Sequence, residues 1–346
     1  MSLIRRILIV GLGSIGSRHL RLARSLFPEA EIKVLRHSGS SFIPEFSDGT
    51  FTSIQDAISF APQIAVIASP ATLHIETAQR LAESGVHVLI EKPISDSING
   101  LSRLITTCKN NNIVLATGYN LRFSPSLIQY KGYIDQGIIG KVLSVHCEVG
   151  QYLPTWRPTS DYRQGVSSRL ELGGGVLLEL SHELDYLRLI FGDVQWVRAK
   201  LSKQSGLEID VEDSAYLTLG FIPDVEGSQL IGVANLDFIR HDNTRICTAI
   251  GENGSLRWNG ISGDVDLFQE GARDWTKLYN HLPIPDETYF AEWIDFLESI
   301  KSKRMPFVTG VDGLRVLEII EAARISSETG IQVKVIHDTQ IERFKA

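Results

Sequence analysis

The sequence predicts an α/β protein: an N-terminal doubly wound parallel sheet, then an α+β domain with an open, mostly antiparallel sheet. Three observations carry that prediction. Between residues 7 and 117, short apolar runs of strand length alternate with segments of helical period. The first run, residues 7–10, enters Gly11-Leu12-Gly13-Ser14-Ile15-Gly16 and then a helical segment over 17–26. Beyond residue 190, strand patterns follow one another without helices between them, which favours antiparallel pairing.

The glycine turn has a chemical reading. Gly11 permits the tight turn, Gly13 lets the backbone approach a pyrophosphate, and Gly16 lets the helix lie close to the strand. The N–H groups of Ser14 and Ile15 at the helix start then face phosphate. A glycine turn can also join strand to helix without any ligand. Here strand, turn and helix occur in the order that dinucleotide binding needs.

Size and composition bound the rest. A chain of 346 residues exceeds one comfortable core, and two domains are expected, 1–121 for a dinucleotide and 122–346 for substrate. The net charge of −7 and the lack of a basic block argue against nucleic-acid binding. The longest apolar runs are strand-length, so no membrane span is expected. The opening six residues run straight into the first strand and leave no room for a signal peptide. Cys108, Cys147 and Cys247 are scattered and odd in number, so neither a disulfide scaffold nor a metal site is indicated. A cytoplasmic, reducing location is the simple expectation.

In order along the first domain, a second strand over 31–36 ends at Arg36-His37-Ser38. NAD-selective folds carry an acid here for the ribose 2′-OH, whereas arginine suits a 2′-phosphate. With Arg36 and no acid, the expectation leans to NADP over NAD; the alternative is a solvated strand end. A short helix capped by Ser53, a strand over 64–68 ending at Ser69-Pro70, and a helix over 72–84 stopped by Gly85 follow. Next come a strand over 86–90 ending at Glu91-Lys92-Pro93, a helix over 96–110, and a strand over 113–117 leading to Gly118-Tyr119-Asn120. Ligands of such sheets bind outside the carboxyl ends of the strands. Gly11, Arg36, Ser69, Lys92 and Asn120 all occupy such ends, within reach of one ligand.

These motifs together, with His74, Arg122 and Phe123, resemble the glucose–fructose oxidoreductase/inositol dehydrogenase (Gfo/Idh/MocA) family over essentially the whole chain. Glu-Lys-Pro at this distance from the glycine turn is the specific part. The resemblance implies a Rossmann domain and a nicotinamide cofactor. It also implies a cis Lys92–Pro93 bond and a homo-oligomer, dimer or tetramer, built on the open sheet. Lys92, beside a nicotinamide, is the leading catalytic residue: its ammonium can donate to a substrate oxygen and stabilise the developing alkoxide. His74 either lines the nicotinamide pocket or caps a helix.

In the second domain, a helix over 125–136 precedes a half-buried strand over 141–149. Further strands are expected over 193–201, 214–221, 229–237 and 244–251, with a final pair within 254–268. The run Gly173-Gly174-Gly175 opens a predicted helix whose Leu177, Leu180, Leu184, Leu187 and Phe191 form one apolar stripe. Glu179, His182 and Tyr186 then project from the other side, and Glu179 and His182, three apart, can meet. A carboxylate touching an imidazole fixes its tautomer and raises its basicity, which suits a general base. The stretch also resembles the family's acid-and-histidine helix, with a departure. The family's aspartate stands four residues before the histidine, where this chain has Leu178. His182 with Lys92 is therefore the firm pair, and Glu179 a weaker third.

The loop between holds Trp156, Arg157, Tyr162, Arg163 and Arg169. Aromatics stack on sugar rings and arginines pair with carboxylate or phosphate, so a sugar-like, anionic substrate is expected here, with Tyr119 and Arg122 as further contacts. The alternative is pairing of these arginines with Asp161 or Glu171. An aromatic helix over 287–301 reads as core, and a helix over 311–329 and a short strand over 331–335 close the chain. The expected function is transfer of hydride between a nicotinamide and a hydroxyl or ketone of a sugar, acidic sugar, nucleotide sugar or cyclitol. The alternatives are a non-catalytic cofactor-sensing protein and a redox-neutral, cofactor-assisted glycoside reaction.

Overall fold

The structure is a computed structural model that describes residues 4–36 and 43–338. It divides into two compact units. In the first, β1 (Arg6–Val10), α1 (Ser14–Leu26), β2 (Glu31–Leu35), β3 (Thr50–Phe51), α2 (Ile54–Ser59), β4 (Ile64–Ile67), α3 (His74–Glu83), β5 (His87–Glu91), α4 (Leu101–Asn110) and β6 (Leu115–Gly118) alternate as expected. The six strands pair in parallel in the order β3-β2-β1-β4-β5-β6. Ile7, Leu8, Ile9, Val10 and the whole of β4 are buried, because helices cover both faces of such a sheet. Local signals set several ends. Ser53 accepts the Gln55 N–H at 3.1 Å and caps α2, and Gly85 adopts φ +83 just past α3.

Two details of this unit differ from expectation. The helix after Lys92 begins at Leu101, not near residue 96, because Gly100 sits in the left-handed region (φ +77) and stops helical geometry short of it. The second difference is the division of the chain. The first unit ends at Tyr119 and takes back Phe290–Leu314 from within the expected 122–346 segment. Trp293 is fully buried there, and Thr117 hydrogen-bonds to the carbonyls of Val308 and Thr309, which fastens the returning segment along β6.

The second unit comprises α5 (Pro125–Asp135), β7 (Val142–Gly150), α6 (Val176–Glu179), α7 (His182–Phe191), β8 (Val194–Ser202), β9 (Ser214–Phe221), β10 (Ile231–Asp237), β11 (Thr244–Gly251), β12 (Gly254–Asn259), β13 (Asp264–Gln269) and β14 (Thr276–Asn280). The chain then continues through α8 (Glu287–Ser302), α9 (Gly310–Thr329) and β15 (Val333–Lys334). Nine strands form one sheet in the order β14-β13-β12-β11-β7-β10-β9-β8-β15. Only β7 and β10 pair in parallel; the other pairings are antiparallel. Directly paired residues share a face. Leu217, Ala234, Cys147, Cys247 and Trp258 line the covered one, and Thr218, Val233, His146, Thr248 and Arg257 the other. Among the described residues no helix is long and apolar enough to cross a membrane.

The expected continuous helix through 176–191 is not continuous. It breaks at Leu180 and Ser181, between α6 and α7. The glycine run explains the start of α6: a Cβ on Gly175 would lie 2.5 Å from Glu212 Oε1, and that oxygen accepts the Leu177 N–H at 3.1 Å. Glycine thus makes room for a carboxylate cap at a helix N-terminus. Beyond the break, α7 has no solvated face through Leu187. Tyr186, expected opposite the apolar stripe, is fully buried with its hydroxyl 3.0 Å from Cys147 Sγ and its ring edge-on to Trp258.

Candidate functional site

The glycine turn has the shape its chemistry requires. Gly11 sits at φ +88, and a Cβ there would lie 2.7 Å from the Ala68 carbonyl oxygen. A Cβ on Gly16 would lie 2.2 Å from the Gly11 carbonyl oxygen, so α1 packs on the turn itself. Gly13, by contrast, has open space where its Cβ would be. It is the N-cap of the thirteen-residue α1 and supplies no side-chain cap, so the first N–H groups of the helix, at exposed Ser14 and half-exposed Ile15, point outward. That cradle suits a pyrophosphate. Gly16→Ala is expected to weaken NADH binding at least about tenfold, because overpacking of about 1–3 kcal/mol falls on the turn. Fluorescence titration reads it, and unchanged affinity would speak against the turn as the phosphate site.

The other expected residues of the first unit gather at the carboxyl ends of its strands. Arg36 follows β2, donates its backbone N–H to Phe51 O at 2.9 Å, and forms no ion pair with a described residue. His37 and Ser38 lie outside the described residues. After β4, the Ser69 hydroxyl is buried with no hydrogen-bond partner among the described residues, as a group reserved for a ligand would be. His74 is buried, with Nε2 2.7 Å from the Ser69 carbonyl and Nδ1 3.1 Å from the Pro93 carbonyl. It ties two strand-end loops together, and burial lowers its pKa. The open face at Gly13 and the orphaned Ser69 hydroxyl fit a dinucleotide on this edge.

Lys92 is half-buried at the end of β5, and its bond to Pro93 is cis. Its backbone N–H donates to Glu91 Oε2 at 3.1 Å, while Glu91 Oε1 lies 2.7 Å from His19 Nε2. Glu91, expected to touch cofactor, therefore turns its carboxylate into the protein. Tyr119, expected at the substrate, is fully buried. Sequence reasoning missed His19, although it lies three residues after Gly16, on the helix face that packs against the sheet. Glu292 lies in the same region, with both oxygens buried and without a hydrogen-bond partner among the described residues. Burial, and then the charge of Glu91, raise its pKa well above the ordinary 4.5.

A raised folded-state value makes the contribution of Glu292 to stability complete below its unfolded pKa, and that contribution is lost as pH rises through the folded value. Glu292→Gln is therefore expected to raise the urea midpoint at about pH 8 and to match the wild type at about pH 5. A constant offset at both pH values would contradict this.

In the second unit, His182 opens α7 and is 9% exposed, and Glu179 ends α6 and is half-exposed. The two stand on either side of the helix break. Asn120 donates to the Thr288 hydroxyl at 2.7 Å and is itself buried. Arg122, expected at the substrate, is buried in an ion pair. Its guanidinium grips Asp185 with two bonds, Nε to Oδ2 at 2.8 Å and Nη2 to Oδ1 at 2.6 Å, and both side chains are buried. In this structure the pair supplies internal order. Glu183, equally buried, pairs with Arg245 at 2.8 Å.

The loop after β7 is tethered by its own polar groups. Trp156 donates Nε1 to Gln151 O at 3.0 Å and meets Phe238 edge-on. Tyr162 accepts the Glu208 N–H at 3.2 Å. Arg163 pairs with Asp161 at 2.9 Å, the alternative weighed for it, and Arg169 donates to Arg163 O at 2.9 Å. Arg157 is exposed and forms no ion pair with a described residue. Burial pushes the Cys108 and Cys247 thiols up to about 12 and raises Cys147 as well, so none is poised as a nucleophile.

Comparison with known proteins agrees with the architecture. Residues 5–119 match the model of the oxidoreductase family's NAD-binding Rossmann fold, and residues 131–335 match that family's C-terminal alpha/beta domain. Myo-inositol 2-dehydrogenase of Thermotoga maritima is 25% identical over 95% of this chain and 98% of its own length. Levoglucosan dehydrogenase in complex with NADH superposes with a TM-score of 0.81 at 23% identity, over 96% of this chain and 100% of that one. The WlbA dehydrogenase from Bordetella pertussis, in complex with NADH and UDP-GlcNAcA, gives 0.78 at 21% identity, over 97% and 100%. From its glycine turn to its mixed sheet, the chain belongs to the Gfo/Idh/MocA family of oxidoreductases.

Proposed function

We propose that the protein moves hydride between a nicotinamide cofactor and a hydroxyl or ketone of a sugar, acidic sugar, nucleotide sugar or cyclitol. The observation that carries this reading is Lys92, held by its own backbone at the carboxyl end of β5 in the unit that bears the open glycine cradle. When bound, the nicotinamide supplies a hydride donor or acceptor carbon. Lys92 donates a hydrogen bond to the substrate oxygen and stabilises the charge that develops there. His182 takes the hydroxyl proton in oxidation and returns it in reduction, and Glu179 is a weaker third. The relatives act on or bind inositol, levoglucosan and UDP-GlcNAcA by name, all polyhydroxylated rings, in support of the substrate class. Arg157, exposed and unpaired by any described residue, supports a preference for anionic members.

NADP is the preferred cofactor in this reading, because Arg36 stands free of described carboxylates at the end of β2. Arg36→Leu is expected to weaken NADPH binding about 10- to 100-fold and to leave NADH binding nearly unchanged. Titration with both cofactors, then a panel of neutral and charged sugars followed by nicotinamide absorbance, tests cofactor and substrate together. Tighter binding of NADH by the wild type would defeat the Arg36 reading, and a panel without turnover would defeat the substrate class. Self-association through the uncovered sheet face, whose rows carry Tyr216, Val233 and Ile246 among polar neighbours, completes the proposal. A monomer by light scattering would remove that part.

A further inference from the structure

Behind Lys92, the side chains of Trp293, His19 and Glu91 form one hydrogen-bonded chain. Trp293 Nε1 can only donate, and it donates to His19 Nδ1 at 3.0 Å. The single proton of a neutral His19 ring is therefore on Nε2, facing Glu91 Oε1 at 2.7 Å. At the other end, the Lys92 backbone N–H, also only a donor, meets Glu91 Oε2 at 3.1 Å. Both oxygens of Glu91 thus face N–H donors, one from His19 and one from the Lys92 backbone. His19 and Trp293 are fully buried and Glu91 is 6% exposed, so water does not substitute readily for any member. Gly118 gives the carboxylate its space, since a Cβ there would lie 3.0 Å from Glu91 Oε2.

His19, Glu91 and Glu292 bring ligand-type atoms within 4.8 Å of one another, a spacing that invites a cation. The Trp293 bond decides against one. A histidine that ligates through Nε2 carries its proton on Nδ1, the position into which Trp293 already donates.

We propose that the chain Trp293–His19–Glu91 is a positioning device for Lys92: it fixes the root of the lysine side chain by fixing its backbone N–H. The proposal rests on the reading of Lys92 as the group that meets the substrate oxygen. Glu91 is the last residue of β5, so the carboxylate extends the order of the strand one residue further, to the lysine. A small displacement of a catalytic group costs about 10²-fold in rate, which gives His19, Trp293 and Glu91 leverage without contact to substrate.

The test compares His19→Leu, which removes the donor to Glu91, with His19→Gln, which keeps one. Exchange of the Lys92 amide proton, followed by NMR on isotope-labelled lysine, is expected to quicken about tenfold in His19→Leu and to stay near wild type in His19→Gln. With a substrate found by the sugar panel, kcat is expected to fall about 10²-fold in His19→Leu with KM and NADH affinity little changed, and His19→Gln to recover most of it. Equal effects of the two variants, or quickened exchange at lysine amides throughout the first unit, would overturn the proposal as mere loss of stability. Should His19→Leu fail to fold, Trp293→Phe probes the same chain from its outer end and is expected to quicken Lys92 exchange about threefold; unchanged exchange there overturns it. If Lys92→Met keeps full turnover, the catalytic reading of Lys92 fails, while the exchange measurement still decides whether its backbone is held this way.

Discussion

Replacing Lys92 with methionine is expected to lower turnover by about 10²–10³-fold, the loss that follows removal of one preorganised donor to a developing oxyanion. Methionine keeps an apolar stem of similar length, so NADH affinity and the urea midpoint should stay close to wild type. Lys92→Arg is not expected to restore activity, because a planar guanidinium cannot occupy the position of a compact ammonium. His182→Asn is expected to lose about 10²–10⁴-fold, as removal of a general base does. If Lys92 and His182 carry the chemistry without it, Glu179→Gln should retain most activity. Steady-state kinetics with the substrate found by the sugar panel read all four. Near-wild-type turnover of Lys92→Met would end the proposed mechanism.

The largest expected change in stability belongs to Arg122. Its guanidinium and the Asp185 carboxylate are almost completely buried, at 4% and 2% side-chain exposure, and are joined by two short bonds. Arg122→Met removes the guanidinium that pairs with the buried Asp185 carboxylate, and about 3–5 kcal/mol of unfolding free energy should be lost. Adding Asp185→Leu to that variant is expected to recover most of it, because removing both charges leaves no orphan. Urea denaturation of the single and double variants measures this. A single variant as stable as the wild type would mean that the pair is solvated, against its burial.

The contrast between Lys92 and Arg122 shows where sequence reasoning reaches. Lys92 was legible because its position follows from local pattern: an apolar strand run, a strand end, a proline. Arg122 carried the same kind of signal, a cation just beyond a strand end, but no local pattern pointed to the buried ion pair it forms. Its partner lies 63 residues away on α7, and no periodicity announces a carboxylate at that distance. Tyr186 was misplaced for a related reason. A helix interrupted at Leu180 and Ser181 no longer keeps the phase from which its stripe was read.

Strand and helix order in the first unit, the glycine cradle and the antiparallel character of the second sheet all followed from residue order, because periods of 2 and 3.6 and the φ freedom of glycine act over a few residues. Folding in three dimensions assigned the partners. It brought Trp293 to His19 across 274 residues, returned Phe290–Leu314 to the first unit, and turned Glu91 inward to hold its neighbour's amide. Those choices depend on burial and on complementary donors and acceptors far apart along the chain, and no local window contains them.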